Sequence, residues 1–276
     1  METNDLTVVI VTFKSEEVIF SCLDSIPSNI KVIVVENSNN KKFKEELEKK
    51  YRNVNCIIAG DNKGYAVGNN TGLRKVNTKY ALILNPDTEL KEDTIQHFFK
   101  TIDLVPEFWM IGPGNNQVKA KNFDDNGLLE VDNLKGFAIF FNISKFKKIF
   151  FDENFFLYFE EIDLCRRLKK NDIKIFIDPT IEVNHLGGTS HNSVIEKPME
   201  LSRNWHWMWS TFYFHKKHYG YLSAIIKILP KLFSSFFKFI IFFITFQKSK
   251  SEIYKHRLLG IINSILLRKS FFRPKL

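Results

Sequence analysis

Three apolar runs, each ending in a polar cluster, constrain this chain more than any other feature. The first, Leu6-Thr-Val-Val-Ile-Val-Thr-Phe13, is continuous rather than alternating. Such a run fits a strand buried on both faces, as in a parallel sheet. Lys31-Val-Ile-Val-Val-Glu36 and Tyr80-Ala-Leu-Ile-Leu-Asn85 repeat the pattern, with a shorter run at Val54–Ala59. Between the first two, Ser15 offers a cap, and Val18, Ile19, Cys22, Leu23 and Ile26 recur at helical spacing before Pro27 stops them. Further helices are expected over about 41–51 and from Gly64 to Val76. This rhythm predicts an α/β fold with a twisted, mostly parallel sheet flanked by helices. Ligands of such sheets bind beyond the carboxyl ends of the strands. Glu36-Asn37, Asp61-Asn62-Lys63-Gly64 and Asn85-Pro86-Asp87 all fall at such ends.

Further along, residues 114–133 read as a loop rich in Asn, Asp and Gly, followed by a strand over Gly136–Asn142. Glu160–Lys170 reads as a helix, and Ile173–Ile177 and Ile181–Val183 as two short strands. The character changes near Leu201. Residues 1–215 are expected to form the α/β domain and residues 216–276 a basic, Phe-rich helical extension. From Arg203 onward there are 14 Lys/Arg and one acid, Glu252, within a chain of net charge +9. The body before it is therefore mildly acidic. Lysines mixed with long apolar runs favour an anionic membrane surface over nucleic acid. Leu232–Phe246 is 15 residues long and contains Lys238, short of the ~20 apolar residues that a spanning helix needs. An interfacial or re-entrant helix is expected, with a second short apolar stretch at Leu258–Leu267. The extension predicts a peripheral or monotopic protein on the cytoplasmic face of the plasma membrane. Three cysteines without C-x-x-C spacing argue against a disulfide framework. The polar, acidic N-terminus argues against a secretory signal.

Four segments could carry chemistry, and each has a structural reading beside the functional one. Asp87 follows a buried strand and could hold a hard divalent cation, or Asn85-Pro86-Asp87 could be a plain turn. Asp61–Asn70 could bring backbone close to phosphate or ribose, or simply enter a helix. Its glycines, Gly64 and Gly68, are spaced for neither a P-loop nor a dinucleotide fingerprint. Glu160, Glu161 and Asp163 open a helix after an aromatic run. They could complement the helix dipole, Asp163 could pair with Arg167, or one of them could be a general base. His185, ahead of Leu-Gly-Gly-Thr-Ser190-His191, could be a metal or phosphate contact or a core histidine.

Taken together and in order, these pieces resemble the family 2 glycosyltransferases, especially the bacterial rhamnosyltransferase-like branch. The matching segments are Val-Val-Ile-Val-Thr-Phe13, Val-Val-Glu36-Asn37-Ser, Asn62-Lys-Gly-Tyr-Ala-Val-Gly-Asn-Asn70, Leu84-Asn-Pro-Asp87, Phe156-Leu-Tyr-Phe-Glu-Glu-Ile-Asp-Leu-Cys-Arg166 and His185-Leu-Gly-Gly-Thr-Ser190. The resemblance implies a GT-A type Rossmann-like fold, a nucleotide-diphosphate sugar donor, Mg²⁺ or Mn²⁺, and inverting transfer to a hydroxyl of a lipid-linked or other glycan acceptor in cell-surface polysaccharide synthesis. It implies that Asp87 holds the metal with His185. Thr12, Glu36, Asn37, Asn62, Gly64, Asn69 and Asn85 are implied at the donor, and Glu161, with Glu160 and Asp163 beside it, as the base. The family usually reads Glu-Asp where this chain has Glu160-Glu161, and Asp where it has Glu36. A nucleotidyltransferase and a catalytically silent nucleotide-sugar or glycan-binding membrane subunit are the rival readings. The turn Thr12-Phe-Lys-Ser-Glu lacks the glycine-rich basic loop that the former requires.

Overall fold

The structure is a computed structural model describing residues 3–114, 126–147, 150–187 and 193–274. It has a sheet unit, Met1–Asp152 with Glu161–Asn192, and a helical unit, Glu153–Glu160 with Ser193–Leu276. The elements of the first are β1 (Leu6–Thr12), α1 (Ile19–Asp24), β2 (Lys31–Glu36), α2 (Lys41–Lys50), β3 (Val54–Ile58), α3 (Gly64–Leu73), β4 (Tyr80–Leu84), β5 (Thr88–Leu90), α4 (Thr94–Leu104), β6 (Met110–Gly114), β7 (Leu129–Glu130), β8 (Ala138–Asn142), α5 (Glu160–Lys169) and β9 (Phe176–His185). The helix α5 starts on the last residue of the helical unit's segment.

The sheet order is β3-β2-β1-β4-β8-β6-β9-β5, with β7 paired to β9. Strands β3, β2, β1 and β4 run parallel. β8 then enters antiparallel to both β4 and β6. The apolar runs behave as expected of doubly covered strands, since every residue of β4 is buried. One face packs Val8, Ile10, Val34, Leu82 and Phe140 into a core, and the other packs Val9, Val35, Ile83, Ile139 and Phe141 into a second. This alternation is the pleat of the strands.

Two local readings change. The pair of short strands expected over 173–183 is one strand, β9. Its register against β6 shifts between Pro113 and Gly114, where a Cβ on Gly114 would stand 2.6 Å from the carbonyl oxygen of Pro179. The irregular middle of β9 therefore looked like a break. The structure also adds α4, and with it β5, which is three residues long, and β6, which carries Pro and Gly.

The helical unit holds α6 (Glu196–Tyr219), α7 (Tyr221–Ile244) and α8 (Lys248–Ile265). The unit begins near residue 193 rather than at 216. Met208 and Phe212 of α6 share one core with Ala224 and Ile228 of α7 and Ile261 of α8, so a boundary at 216 would cut through a helix that the core requires. Gly260 lets α8 lie on α6, because a Cβ there would meet the carbonyl oxygen of Trp205 at 2.3 Å. The C-terminal segment closes over α6. Trp209 Nε1 donates to Arg268 O at 3.0 Å, and His206 Nε2 lies 2.8 Å from Phe272 O. Burial drives the His206 pKa down to about 3, so this ring is neutral. The segment Glu153–Glu160 belongs here too, with Phe156 stacked on His206 at 4.4 Å. Leu232–Phe246 overlaps the longer α7, and Leu258–Leu267 the end of α8. No helix among the described residues is long and apolar enough to cross a membrane.

Candidate active site

Strands β2, β1 and β4 are neighbours, and Thr12 at the end of β1 stands in register with Glu36 at the end of β2. Asn37 N–H donates to Thr12 O at 2.9 Å, and Asn37 Nδ2 donates to Gly64 O at 3.3 Å. Both residues are almost completely buried. Thr12 Oγ1 and Asn37 Oδ1 are nevertheless without a hydrogen-bond partner. A buried polar atom left unsatisfied costs about 1–3 kcal/mol, so two together at strand ends mark a place built for a polar ligand.

Glu36, implied at the donor, also organises the turn that follows β2. Its carboxylate accepts the Ser38 and Asn40 backbone N–H groups at 2.7 Å each, and the Ser38 hydroxyl as well. Both oxygens accept from the chain's own turn, and that turn presents Asn37. An aspartate, one methylene shorter, would reach these N–H groups differently, which gives Glu36 a structural reason.

Helix α3 lies flush on β1. Gly64, at φ +83°, starts it in a backbone conformation that favours glycine, and Asn62 Oδ1 accepts the Gly64 N–H at 3.1 Å. A Cβ on Gly68 would stand 2.6 Å from Val11 Cγ1 and 3.2 Å from Asn37 Nδ2. The spacing of Gly64 and Gly68 is thus a helix-packing device next to Asn37. Asn69 donates back to Tyr65 O within its own helix at 3.1 Å. The neighbouring Asn70 exchanges two hydrogen bonds with the Phe151 backbone, at 2.9 and 3.0 Å. Tyr65 also donates its hydroxyl to Gly136 O. Sequence reasoning missed Asn70 and Tyr65 as positioning residues. The signal was a buried-face Asn in a helix of small and apolar residues.

The Asn85-Pro86-Asp87 turn is fixed from several sides. Asn85 N–H donates to Phe137 O at 2.9 Å, and Asn85 O accepts Thr88 Oγ1 at 2.7 Å. Asn85 therefore contributes backbone here, while its side chain is half-buried. Asp87 is buried, and Thr88 pairs with His185 across β5 and β9. This register brings His185 Nε2 to 3.6 Å from Asp87 Oδ1. The imidazole stacks on Phe137 at 4.6 Å and 9°, which sets the plane of the ring. The Asp87 carboxylate is the ligand type that suits Mg²⁺ or Mn²⁺, and the added imidazole nitrogen, a softer donor, makes Mn²⁺ the better fit of the two. Among the described residues no group of three or more His, Cys, Asp or Glu side chains could hold a metal. Residues 188–192, which continue the His185 motif, lie outside the described residues.

The three acids of α5 divide cleanly. Asp163 is fully buried and accepts Arg167 Nε at 2.9 Å, while Arg167 also donates to Phe150 O. Asp163 is thereby tied into an ion pair with Arg167. Glu160 is buried within the helical unit's segment. Glu161 is partly buried. Desolvation pushes its carboxyl up to about 7, against the lowering effect of its own and the Ile162 backbone N–H groups. That is a carboxyl able to take up and release a proton near neutrality. Just before it, Tyr158 and Phe159 have φ +70° and +72°, a conformation that costs of order 1–3 kcal/mol per non-glycine residue. Both rings contact Trp207, at 5.2 and 5.4 Å, and Ser210 Oγ donates to Leu157 O at 2.9 Å. The helical unit therefore supplies the packing that holds this strained turn.

The family model described as glycosyl transferase family 2 matches residues 7–162, a span carrying the strand-end groups and the start of α5. The low-salt glycan biosynthesis hexosyltransferase Agl10 of Haloferax volcanii is 30% identical over 199 residues, covering 62% of this chain and 64% of that protein. The chain thus spans just under two thirds of that relative's length. Among solved structures, the mannosyltransferase PcManGT of Pyrobaculum calidifontis, in complex with GDP-Man and Mn²⁺, superposes with TM-score 0.57 at 12% identity, covering 96% of this chain and 88% of that one. S. aureus TarS 1-349 gives 0.55 at 12% identity, with 97% and 93% covered. At that identity the likeness is one of fold.

Proposed function

The chain belongs to glycosyl transferase family 2, and on that premise we propose that it moves a sugar from a nucleotide-diphosphate donor to a hydroxyl of a glycan acceptor, with inversion at the anomeric carbon. The observation that carries this is the Asp87–His185 pair, 3.6 Å apart at the carboxyl end of the central strand β4. Thr12 and Asn37 offer buried, unsatisfied oxygens to the donor's nucleoside. A divalent cation held by Asp87 and His185 would neutralise the charge that builds on a departing diphosphate. Phe137 keeps His185 oriented, and Asn85 and Thr88 keep the Asp87 turn in place. Glu161 takes the proton from the acceptor hydroxyl as its oxygen attacks. A carboxyl that titrates near 7 is half ionised at neutral pH and can return the proton to solvent afterwards.

The transferred group is a hexose or 6-deoxyhexose such as rhamnose, and the acceptor is lipid-linked. Support for the lipid comes from the helical unit, whose sequence is strongly basic and whose α7 exposes Leu222, Ile226, Phe233 and Phe237 along one stripe. We place the protein peripherally on the anionic cytoplasmic face of the plasma membrane. Truncation before α7 is a poor test, because it strips the core from Met208 and Phe212. Substituting the stripe leaves that core intact, and cosedimentation with anionic vesicles then reads docking.

The decisive experiment for the activity is a panel of nucleotide sugars, read by thermal shift and by donor hydrolysis or transfer, with and without Mn²⁺. One donor should raise the melting temperature in a cation-dependent way and be turned over. Binding without turnover under every condition would favour a silent binding subunit instead.

A further inference from the structure

The turn between α7 and α8 contains a conflict that the fold itself does not need. Phe246 is 93% exposed and holds φ +56°, where a side chain is strained and glycine is at ease. The helix end closes with Gln247 N–H on Phe242 O at 2.9 Å, the kind of cap usually completed by glycine. Glycine would make this cap without strain and without an aromatic ring in water. The neighbouring Phe243 and Ile244 are exposed as well.

Behind the ring lies a cavity of about 470 Å³, walled by Phe239, Phe242, Phe243 and Phe246 and bordered by Lys248 and Lys255. That volume is in the range of pockets for small ligands. Glu252 is also in the wall, but Lys197 pairs with it at 2.8 Å, so the border stays cationic. Lys250 lies over the Phe242 ring at 5.2 Å and adds to the positive rim. An apolar floor with a cationic lip matches a molecule that is hydrocarbon at one end and anionic at the other.

We propose that this cavity is a lipid site, seating one acyl chain of an anionic phospholipid against the phenylalanines, with its phosphate at Lys248 and Lys255. Phe246 is held in its strained conformation at the mouth, where it closes on the chain. The proposal rests on the membrane reading above and gives it a defined seat.

The test uses the full chain with phosphatidylcholine vesicles, with and without phosphatidic acid, in cosedimentation and thermal melts. Phe246→Gly should bind phosphatidic acid vesicles about 10-fold more weakly, through loss of one buried ring. It should melt at the same temperature or higher, through relief of the left-handed residue. Lys248→Gln with Lys255→Gln should cut the preference for phosphatidic acid about 20-fold and leave binding to phosphatidylcholine unchanged. A lower melting temperature for Phe246→Gly would make the ring structural and overturn the proposal. So would displacement of the vesicles by excess inorganic phosphate, which would mean a phosphate site without a chain. If the wild type pellets with no vesicle, the membrane reading itself falls. If it pellets and both variants match it, only the cavity falls.

Discussion

The two units treat their apolar side chains in opposite ways. In the sheet unit, strands such as β1 and β4 bury nearly everything, and the only large apolar side chains that stand exposed among its described residues are Leu104 and Leu186. In the helical unit the exposed set runs from Val194 to Phe271 and includes Leu222, Ile226, Phe233, Phe237 and Phe246. The core of that unit needs only one face of α7, through Ala224 and Ile228. Its other face is as apolar as a core and has no core to serve. An apolar surface of that extent in a chain that otherwise buries well marks a partner. In the sheet unit the exceptions have the opposite sign, being buried polar groups such as Thr12, Asn37 and Asp87. Each unit breaks its own rule where the proposed function has it meet something else.

The largest effect that would sharpen this contrast is on chemistry. Asp87→Ala should lower transfer at least about 10³-fold, near 4 kcal/mol of transition-state stabilisation, with the melting temperature little lowered. Glu161→Gln should lower it about 10²–10⁴-fold, as removal of a positioned base does. Steady-state rates with the identified donor check both, and near-normal turnover in either variant would remove that residue from the mechanism.

Next come two glycines that set close approaches, one in each unit. Gly260→Ala drives a Cβ to 2.3 Å from a backbone oxygen, which no rotamer change can relieve. Gly72→Ala drives one to 2.4 Å from Val9 Cγ1, a side-chain atom that can move. Losses of about 2–4 and 1–2 kcal/mol are expected, net of the helix gain from alanine. Denaturant unfolding measures both. A reversed order would mean that the α6–α8 contact is looser than the α3–β1 contact.

Most of the sheet was legible in sequence because continuous apolar runs encode double burial, and three strand-end clusters sat where parallel sheets bind ligands. The Asp87–His185 pairing was implied by the resemblance alone, and no periodicity or spacing carried it. It depends on register between β5 and β9, and β5 is three residues long, too short for any periodicity. The hydrogen bonds of Glu36 were hidden for a related reason, since only the folded turn brings the Ser38 and Asn40 N–H groups onto it. Asp163 could be read either way until Arg167 was seen to reach it. The start of the helical unit near residue 193 was not legible, because no spacing in α6 shows that Met208 and Phe212 pack with α7 and α8.

A smaller effect concerns Glu161 and stability. Its carboxyl titrates near 7 when folded, against an ordinary value of 4.5. The fold therefore favours the protonated form. That contribution is complete below about pH 4.5 and is lost as pH rises through about 7. Glu161→Gln should exceed the wild type in stability above pH 7 by on the order of 1–3 kcal/mol, and match it near pH 4. Melts across that range test this, and turnover of the wild type should rise over the same interval as the base ionises.

The smallest effect is the most informative about the comparison itself. Phe233→Ser and Ile226→Ser replace large apolar side chains, which inside a core would cost several kcal/mol. Here the rings and branches already face water, so unfolding should shift by less than about 0.5 kcal/mol. Phe212→Ala, at a fully buried position in the same unit, should cost about 3–5 kcal/mol. The stripe variants should lose cosedimentation with anionic vesicles while keeping their fold. If they melt as early as Phe212→Ala, α7 buries this face against its own chain, and the contrast between the units disappears.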